Sequence, residues 1–206
     1  MLNGKTALIT GSSQGIGLGV AQAFAVSGAK VVVTSEKPLE KCPEVQRLLS
    51  DFEHARYVQA DLLTDGEPER LVAEAWAAFG GIDVLVNNLG TYKEPPLDRI
   101  TRDHFDFVLR LNVWVPVAIT REVVRRARAE KRGGRILFST SLNATRSEPL
   151  HTLYDASKGA VNALCRQLAV ELAPHGFTTA AVVNPCGASS TASCRHRAFT
   201  APLLAS

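Results

Sequence analysis

The sequence predicts a doubly wound α/β domain, in which a parallel β-sheet forms the middle of three layers and helices cover both of its faces. Short apolar or β-branched segments alternate with longer amphipathic segments along most of the chain. Because the short segments are almost entirely apolar, they are typical of strands that are buried on both faces of a parallel sheet. The predicted strands are residues 6–10, 31–34, 56–60, 84–86, 135–138 and 179–183.

Longer amphipathic segments between these strands predict five helices, at residues 15–27, 43–51, 66–79, 103–130 and 153–173. Glycine follows the first, third and fourth helices, as expected of helix ends. The fourth helix contains Pro116. Proline has no N–H, and its ring crowds the carbonyl four residues earlier, so we expect a kink at Asn112 and a freed Asn112 carbonyl that can hold a water.

The chain is large enough to bury a core without metal or disulfide crosslinks, since it has 206 residues, of which 46% are hydrophobic and 21% are charged. Its net charge of +3 is small and scattered, which argues against nucleic acid and membrane surfaces as partners. No apolar run is long enough to span a bilayer, and no export signal is evident, so a cytoplasmic protein is expected. No metal site is predicted, and free thiols are expected at Cys42, Cys165, Cys186 and Cys194.

A glycine-rich loop, TGSSQGIG at residues 10–17, lies between the first predicted strand and the first helix. Gly11, Gly15 and Gly17 allow a tight turn and a close approach of backbone to ligand. The free N–H groups and the positive end of the following helix attract a pyrophosphate. The loop therefore predicts a dinucleotide site, although its G-x3-G-x-G spacing differs from the G-x-G-x-x-G of other dinucleotide folds.

Tyr154 and Lys158 are four residues apart, so a helix places both on one face. A cation about 4 Å from a phenol contributes roughly 4 kcal/mol at an effective dielectric constant near 20, so Lys158 is predicted to lower the pKa of Tyr154. Ser141 precedes Tyr154 by thirteen residues and follows a strand, which places it at the ligand-binding edge of the sheet. Ser139, fifteen residues before Tyr154, is the rival serine.

Together these motifs resemble the short-chain dehydrogenase/reductase family. The resemblance covers residues 3–187 and rests on the glycine loop, NNLG at 87–90, Asn112 and YDASK at 154–158, in the family's order. It implies a Rossmann-like fold and hydride transfer between a nicotinamide cofactor and a secondary alcohol or carbonyl. The implied catalytic residues are Asn112 for a proton relay, Ser141 for the substrate oxygen, Tyr154 as acid/base, and Lys158, which lowers the Tyr154 pKa and holds the cofactor ribose.

The resemblance also implies a cofactor site, in which Asp61 meets the adenine, Asn87 and Gly90 line the cleft, and residues 184–185 flank the nicotinamide. The predicted cofactor-binding residues are Gly11, Ser13, Gln14, Gly15, Ile16, Gly17, Ser35, Glu36, Asp61, Leu62, Asn88, Gly90, Tyr154, Lys158 and Pro185.

The choice between NAD and NADP depends on charge near the ribose 2′ position, at the end of the second strand. Ser35 stands where relatives that use NAD often carry Asp. Glu36 and Gln14 stand at two positions where relatives that use NADP often carry a basic residue. Together these three residues favour NAD. Lys37 leaves NADP open, since it can reach a phosphate.

The C-terminal segment departs from the family pattern. Residues 1–187 are predicted to form one catalytic domain and residues 188–206 an irregular tail, without the family's last strand and substrate lobe, so residues 180–183 should form an exposed edge. An alternative hypothesis is therefore a noncatalytic dinucleotide-binding or interaction protein, a truncated fragment of this family. Because relatives pair through their fourth and fifth long helices, a homo-oligomer, dimer or tetramer, is also expected.

Overall fold

The structure, a computed structural model, describes residues 2–184 and contains a six-stranded parallel sheet. The spatial order of the strands is β3-β2-β1-β4-β5-β6, and every neighbouring pair is parallel. This arrangement confirms the predicted doubly wound fold. The strands are β1 (Thr6–Ile9), β2 (Lys30–Ser35), β3 (Ala55–Gln59), β4 (Val84–Asn87), β5 (Gly134–Ser141) and β6 (Phe177–Asn184).

Six α-helices connect and cover these strands: α1 (Gly15–Val26), α2 (Pro43–Asp51), α3 (Glu67–Phe79), α4 (Arg102–Leu109), α5 (Val115–Ala129) and α6 (Thr152–Leu172). From β1 the chain first builds outward through β2 and β3, then returns to place β4 on the other side of β1. The strand order therefore reverses between β1 and β4. In such sheets, ligands bind at this switch point, outside the carboxyl ends of the strands.

Apolar side chains on the two faces of the sheet form two separate cores. Along β1, Leu8 belongs to the core under α3, α5 and α6, whereas Ala7 and Ile9 belong to the core under α1 and α2. Both faces are covered, so every residue of β1 is buried. This two-sided burial is the reason that the strands read as uninterrupted apolar runs in the sequence.

The prediction of one helix over residues 103–130 is wrong in detail, because a π-helical turn, Arg110–Trp114, separates α4 from α5. Pro116 has no N–H for the carbonyl of Asn112, and its ring would crowd that carbonyl in a regular helix. A turn that contains an extra residue relieves this crowding. The expected distortion is therefore present, as a wide turn at Asn112.

Several predictions concern residues outside the described part of the chain. These predictions are the role of Pro185, the boundary at residue 187, the irregular tail, the absence of the family's last strand and substrate lobe, and two of the four free thiols. Within residues 2–184, β6 is at one edge of the sheet, Ala180 and Ala181 are exposed, and Val183 is 44% exposed. Cys42 and Cys165 are buried free thiols. Within the same range, no helix combines the length and the apolar character needed to cross a bilayer.

Candidate active site

Hydrogen bonds to both neighbouring strands fix the glycine loop between β1 and α1. The Thr10 hydroxyl accepts from the backbone N–H groups of Asn88 and Leu89, at 3.0 and 3.1 Å. On the other side, Ser12 Oγ accepts from the N–H of Thr34 at 2.9 Å, and the Ser12 N–H donates to the Thr34 carbonyl at 3.1 Å. The sequence TGSS therefore ties the loop to the carboxyl ends of β2 and β4.

The loop is tightly packed on its inner side and open on its outer side. A Cβ atom at Gly17 would lie 2.4 Å from the Gly11 carbonyl oxygen, so no larger residue fits there. In contrast, a Cβ at Gly15 would meet nothing within 4 Å. Gln14, the N-cap of α1, makes no side-chain capping hydrogen bond, and the first turn contains no acidic residue. The free N–H groups of the first turn of α1 and the helix dipole therefore suit a pyrophosphate, and the loop fits a dinucleotide.

A carboxylate is held at the end of β2, where the ribose 2′ position of a dinucleotide is expected. The Ser35 hydroxyl donates to Glu36 Oε2 at 3.0 Å, and the Tyr57 hydroxyl donates to the Ser35 carbonyl at 3.2 Å. Burial, followed by the influence of Cys42, raises the pKa of Tyr57 to about 12. Tyr57 therefore remains a hydrogen-bond donor that fixes the end of β2.

The structure places the predicted residues after β3 and β4 in different roles. Asp61 is exposed and accepts from the N–H of Leu63 at 3.1 Å, so it also caps the turn after β3. Leu62 has its side chain in the core. Asn87 was expected to line the cleft, but its side chain is buried and its Nδ2 donates to Thr120 Oγ1 in the interior.

Asn88 holds the glycine loop instead. Its Nδ2 donates to the carbonyl oxygens of Thr10 and Gly11, each at 3.0 Å. The two adjacent asparagines therefore point to opposite sides of the strand, as alternation along a strand requires.

Ser141, Tyr154 and Lys158 meet at the carboxyl end of β5. Ser141 ends that strand, and the other two lie on the first two turns of α6. Lys158 Nζ is 5.6 Å from the centroid of the Tyr154 ring and donates to the carbonyl oxygen of Ser139 at 2.9 Å. Ser139 thus contributes its backbone, while the hydroxyl near Tyr154 belongs to Ser141. Burial lowers the pKa of Lys158 to about 8.

The pKa of Tyr154 is raised in the structure, contrary to the prediction that Lys158 would lower it. Burial is the largest cause, a hydrogen bond with Ser141 opposes it, and the nearby charges of Asp155 and Glu148 add to the rise. Neither the extent of water loss around the phenol nor the proximity of the two carboxylates follows from the spacing of Tyr154 and Lys158.

Asn112 connects the π-helical turn to the rest of the site and is 1% exposed. Its Nδ2 donates to the Thr91 carbonyl at 2.8 Å and to Ser157 Oγ at 2.9 Å, and its Oδ1 accepts from the Thr91 N–H at 2.8 Å. A Cβ at Gly90 would lie 3.1 Å from Asn112 Oδ1 and 3.5 Å from Lys158 Nζ. Gly90, Asn112 and Lys158 therefore lie together.

Three residues around Ser141 and Tyr154 were not predicted from the sequence. Ser141 Oγ donates to Oδ1 of the buried Asn143 at 3.1 Å, and Asn143 Nδ2 donates to Asp155 at 3.0 Å. Tyr92 packs edge-on against the Tyr154 ring, with centroids 6.5 Å apart. The carboxylate of Glu94 accepts from the backbone of α6. No motif identifies these residues, because their contacts depend on how loops meet.

The sequence matches the family described as short chain dehydrogenase over residues 5–198. The chain belongs to the short-chain dehydrogenase/reductase family, a family of oxidoreductases that use NAD or NADP.

Named relatives and a solved structure support this assignment. The chain is 35% identical over 181 residues to galactitol 2-dehydrogenase of Agrobacterium fabrum, covering 88% of this chain and 70% of that protein. It is 36% identical over 190 residues to a hydroxynaphthalene reductase-like protein of Metarhizium guizhouense, covering 90% and 69%. A gluconate 5-dehydrogenase from Burkholderia cenocepacia, solved in complex with NADP and tartrate, superposes with a TM-score of 0.80 at 30% identity, covering 88% and 71%.

Proposed function

We propose that this chain transfers a hydride between a nicotinamide cofactor and a secondary alcohol or carbonyl, with Tyr154 as the general acid and base. The observation that carries the proposal is the meeting of Ser141, Tyr154 and Lys158 at the carboxyl edge of the sheet, beside the glycine loop. Relatives named for a sugar alcohol and for a hydroxynaphthalene are consistent with hydroxyl and carbonyl chemistry.

The cofactor would be held by the first turn of α1 and the loops after β2, β3 and β4. Ser13, Gly15 and Ile16 would provide backbone around the pyrophosphate, and Lys158 would hold the ribose nearer the substrate. When bound, the nicotinamide supplies or accepts the hydride. NAD is the proposed preference, because Glu36 presents a carboxylate at the end of β2, where it can accept from a ribose hydroxyl and would repel a phosphate.

The residues of the chain carry out the proton transfer. In reduction, the Tyr154 hydroxyl donates its proton to the substrate oxygen, while the Ser141 hydroxyl donates a hydrogen bond to the same oxygen. The Lys158 ammonium stabilises the resulting phenolate. Asn112, whose side chain is bonded to the backbone of Thr91, supports the relay that returns a proton to Tyr154. Because burial raises the pKa of Tyr154, the phenol is protonated at neutral pH and ready to act as the acid.

We also propose that the chain forms a homo-oligomer through α5 and α6. Apolar side chains from both helices line a shallow cleft on this outer face: Val117, Val124, Leu164, Leu168 and Leu172. Arg121, Arg125, Arg128 and Glu171 line the same cleft. A contact here would therefore combine an apolar centre with a charged rim, as is typical of subunit interfaces.

The central test is the Tyr154→Phe variant. Removing the hydroxyl removes the proton donor, so turnover should fall by about 100- to 10,000-fold, the usual contribution of general acid catalysis. NADH binding, measured by fluorescence titration, should remain essentially unchanged. Turnover should be assayed with a panel of polyols, sugars and aromatic ketones.

The matched control is Tyr92→Phe, which keeps the ring that packs on Tyr154 and should retain most of the turnover. Undiminished turnover in Tyr154→Phe would contradict the assignment of the acid. NADH binding without turnover of any substrate by the unmodified chain would favour the noncatalytic alternative.

A further inference from the structure

The N-terminus of α6, the helix that carries Tyr154 and Lys158, has no cap from its own sequence. His151 is the N-cap residue and makes no side-chain capping hydrogen bond. The first N–H groups of a helix have no partner within the helix and are usually satisfied by a Ser, Thr, Asp or Asn side chain at this position. An uncapped first turn frays, and Tyr154 is the third residue of that turn.

A carboxylate from a distant part of the chain takes the place of the missing cap. Glu94 lies in the connection that follows β4, about sixty positions before the start of α6. Its two oxygens accept from the Leu153 N–H, both at 3.0 Å, and Oε2 also accepts from the Tyr154 N–H at 2.8 Å. The negative charge is also favourable at the positive end of the helix dipole.

The two functional residues of α6 depend on this cap to different degrees. Lys158 lies one turn further along the helix, is buried, and is fixed by its bond to the Ser139 carbonyl. Tyr154 lies within the first turn, and its own N–H is one of the capped groups. Loss of the cap would therefore displace Tyr154 relative to Lys158 and Ser141.

The connection that contains Glu94 also contacts the other side of the site. Thr91, three residues earlier, exchanges two hydrogen bonds with the side chain of Asn112. Gly90 lies beside Asn112 and Lys158. One short segment thus joins the cleft beside Gly90 to the start of the helix that bears the proposed acid.

We propose that Glu94 is a positioning residue for the reaction, which holds Tyr154 in register with Lys158 and Ser141 by capping α6 from the connection after β4. This inference rests on the proposed function for its kinetic part. Its structural part, the anchoring of the first turn of α6, stands independently.

The test compares Glu94→Ala with Glu94→Gln. Alanine removes every acceptor, and kcat should fall by about 10- to 100-fold, because a displacement of a reacting group on the order of 1 Å can cost that much. The affinity for NADH should be unchanged. Glutamine keeps one acceptor oxygen, so its kcat should lie between those of Glu94→Ala and the unmodified chain. Asp98→Ala, at an exposed carboxylate on the same connection, is the matched control and should not alter kcat.

Hydrogen exchange provides a readout that does not depend on turnover. In Glu94→Ala the amides of Leu153 and Tyr154 should exchange faster, whereas those around Lys158 should not. Unchanged exchange at both amides, or an unchanged kcat in a variant whose first turn does exchange faster, would overturn the proposal. If the unmodified chain turned over no substrate while the exchange result held, the proposed function would fail and the capping role would stand.

Discussion

At the scale of single residues, burial controls the ionisation of both members of the Tyr154 and Lys158 pair. Burial raises the pKa of the phenol and lowers that of the ammonium to about 8, so each group is pushed toward its neutral form. Near neutral pH this leaves a protonated phenol beside a lysine close to its titration point. Such a pair suits the reduction of a carbonyl at neutral pH.

The Lys158 pKa predicts a specific pH dependence of stability. The folded chain releases this proton near pH 8, whereas an unfolded lysine releases it near its ordinary value of 10.5. Between these values the unfolded state binds more protons, so the free energy of unfolding should rise with pH, by about 3 kcal/mol at 1.36 kcal/mol for each pH unit. Lys158→Met should remove this rise.

Urea unfolding at pH 7.5, 9 and 10.5, reported as the difference between the unmodified chain and each variant, measures the effect. Lys93→Met is the control, since Lys93 is exposed and its ammonium is hydrated in both states. A constant difference between the unmodified chain and Lys158→Met over this range would show that burial does not disfavour the Lys158 ammonium.

At the scale of secondary structure elements, the π-helical turn Arg110–Trp114 brings Asn112 into the site. The wider turn directs its amide toward Thr91 and Ser157, which belong to two other parts of the fold. A regular helix through this segment would rotate the residues after the turn and change which one faces α6. The irregular turn therefore has a positional role that Pro116 explains.

Pro116→Ala tests this role. Alanine supplies an N–H that can bond to the Asn112 carbonyl, which favours a regular helix and moves the Asn112 amide away from its partners. Turnover should fall, while the free energy of unfolding in urea should not decrease. Pro43→Ala, at the start of α2 and away from the site, is the control. Undiminished turnover in Pro116→Ala would show that the turn does not matter for the reaction.

At the scale of the whole molecule, the reversal of strand order between β1 and β4 brings the site together. It places the glycine loop, the connection after β4 and the end of β5 at one edge of the sheet. The outer face of α5 and α6 lies away from this edge and includes apolar side chains from both helices. That face is the proposed subunit contact.

Leu168→Glu should dissociate the proposed oligomer, because the contact would remove the new carboxylate from water, which is costly without a well-placed partner. Sedimentation velocity should show a smaller species, with an unchanged far-ultraviolet circular dichroism spectrum. Val26→Glu is the control, since Val26 is 74% exposed at the end of α1, away from the proposed contact. An unmodified chain that sediments as a monomer, or an oligomer that survives Leu168→Glu, would contradict the proposed contact.

Much of this protein is already determined by its sequence. The all-apolar strands identify a sheet that is covered on both faces, the glycine loop between a strand and a helix indicates a dinucleotide site, and the spacing of Tyr154 and Lys158 places them on one helix face. These features are local, because they depend on strand and helix periods and on turn chemistry. Pro116 also predicted a distortion of the helix at Asn112, but it did not predict that the distortion would be a π-helical turn.

Only the tertiary structure decided the environment of those residues. The pKa direction of Tyr154, the orientation of Asn87 toward Thr120 and the cap that Glu94 places on α6 all depend on groups distant in the sequence. Burial and long-range contacts set the solvation and the partners of each polar group, and no spacing along the chain encodes them. The sequence therefore indicated which groups can react, and the packing decided how they are charged and held.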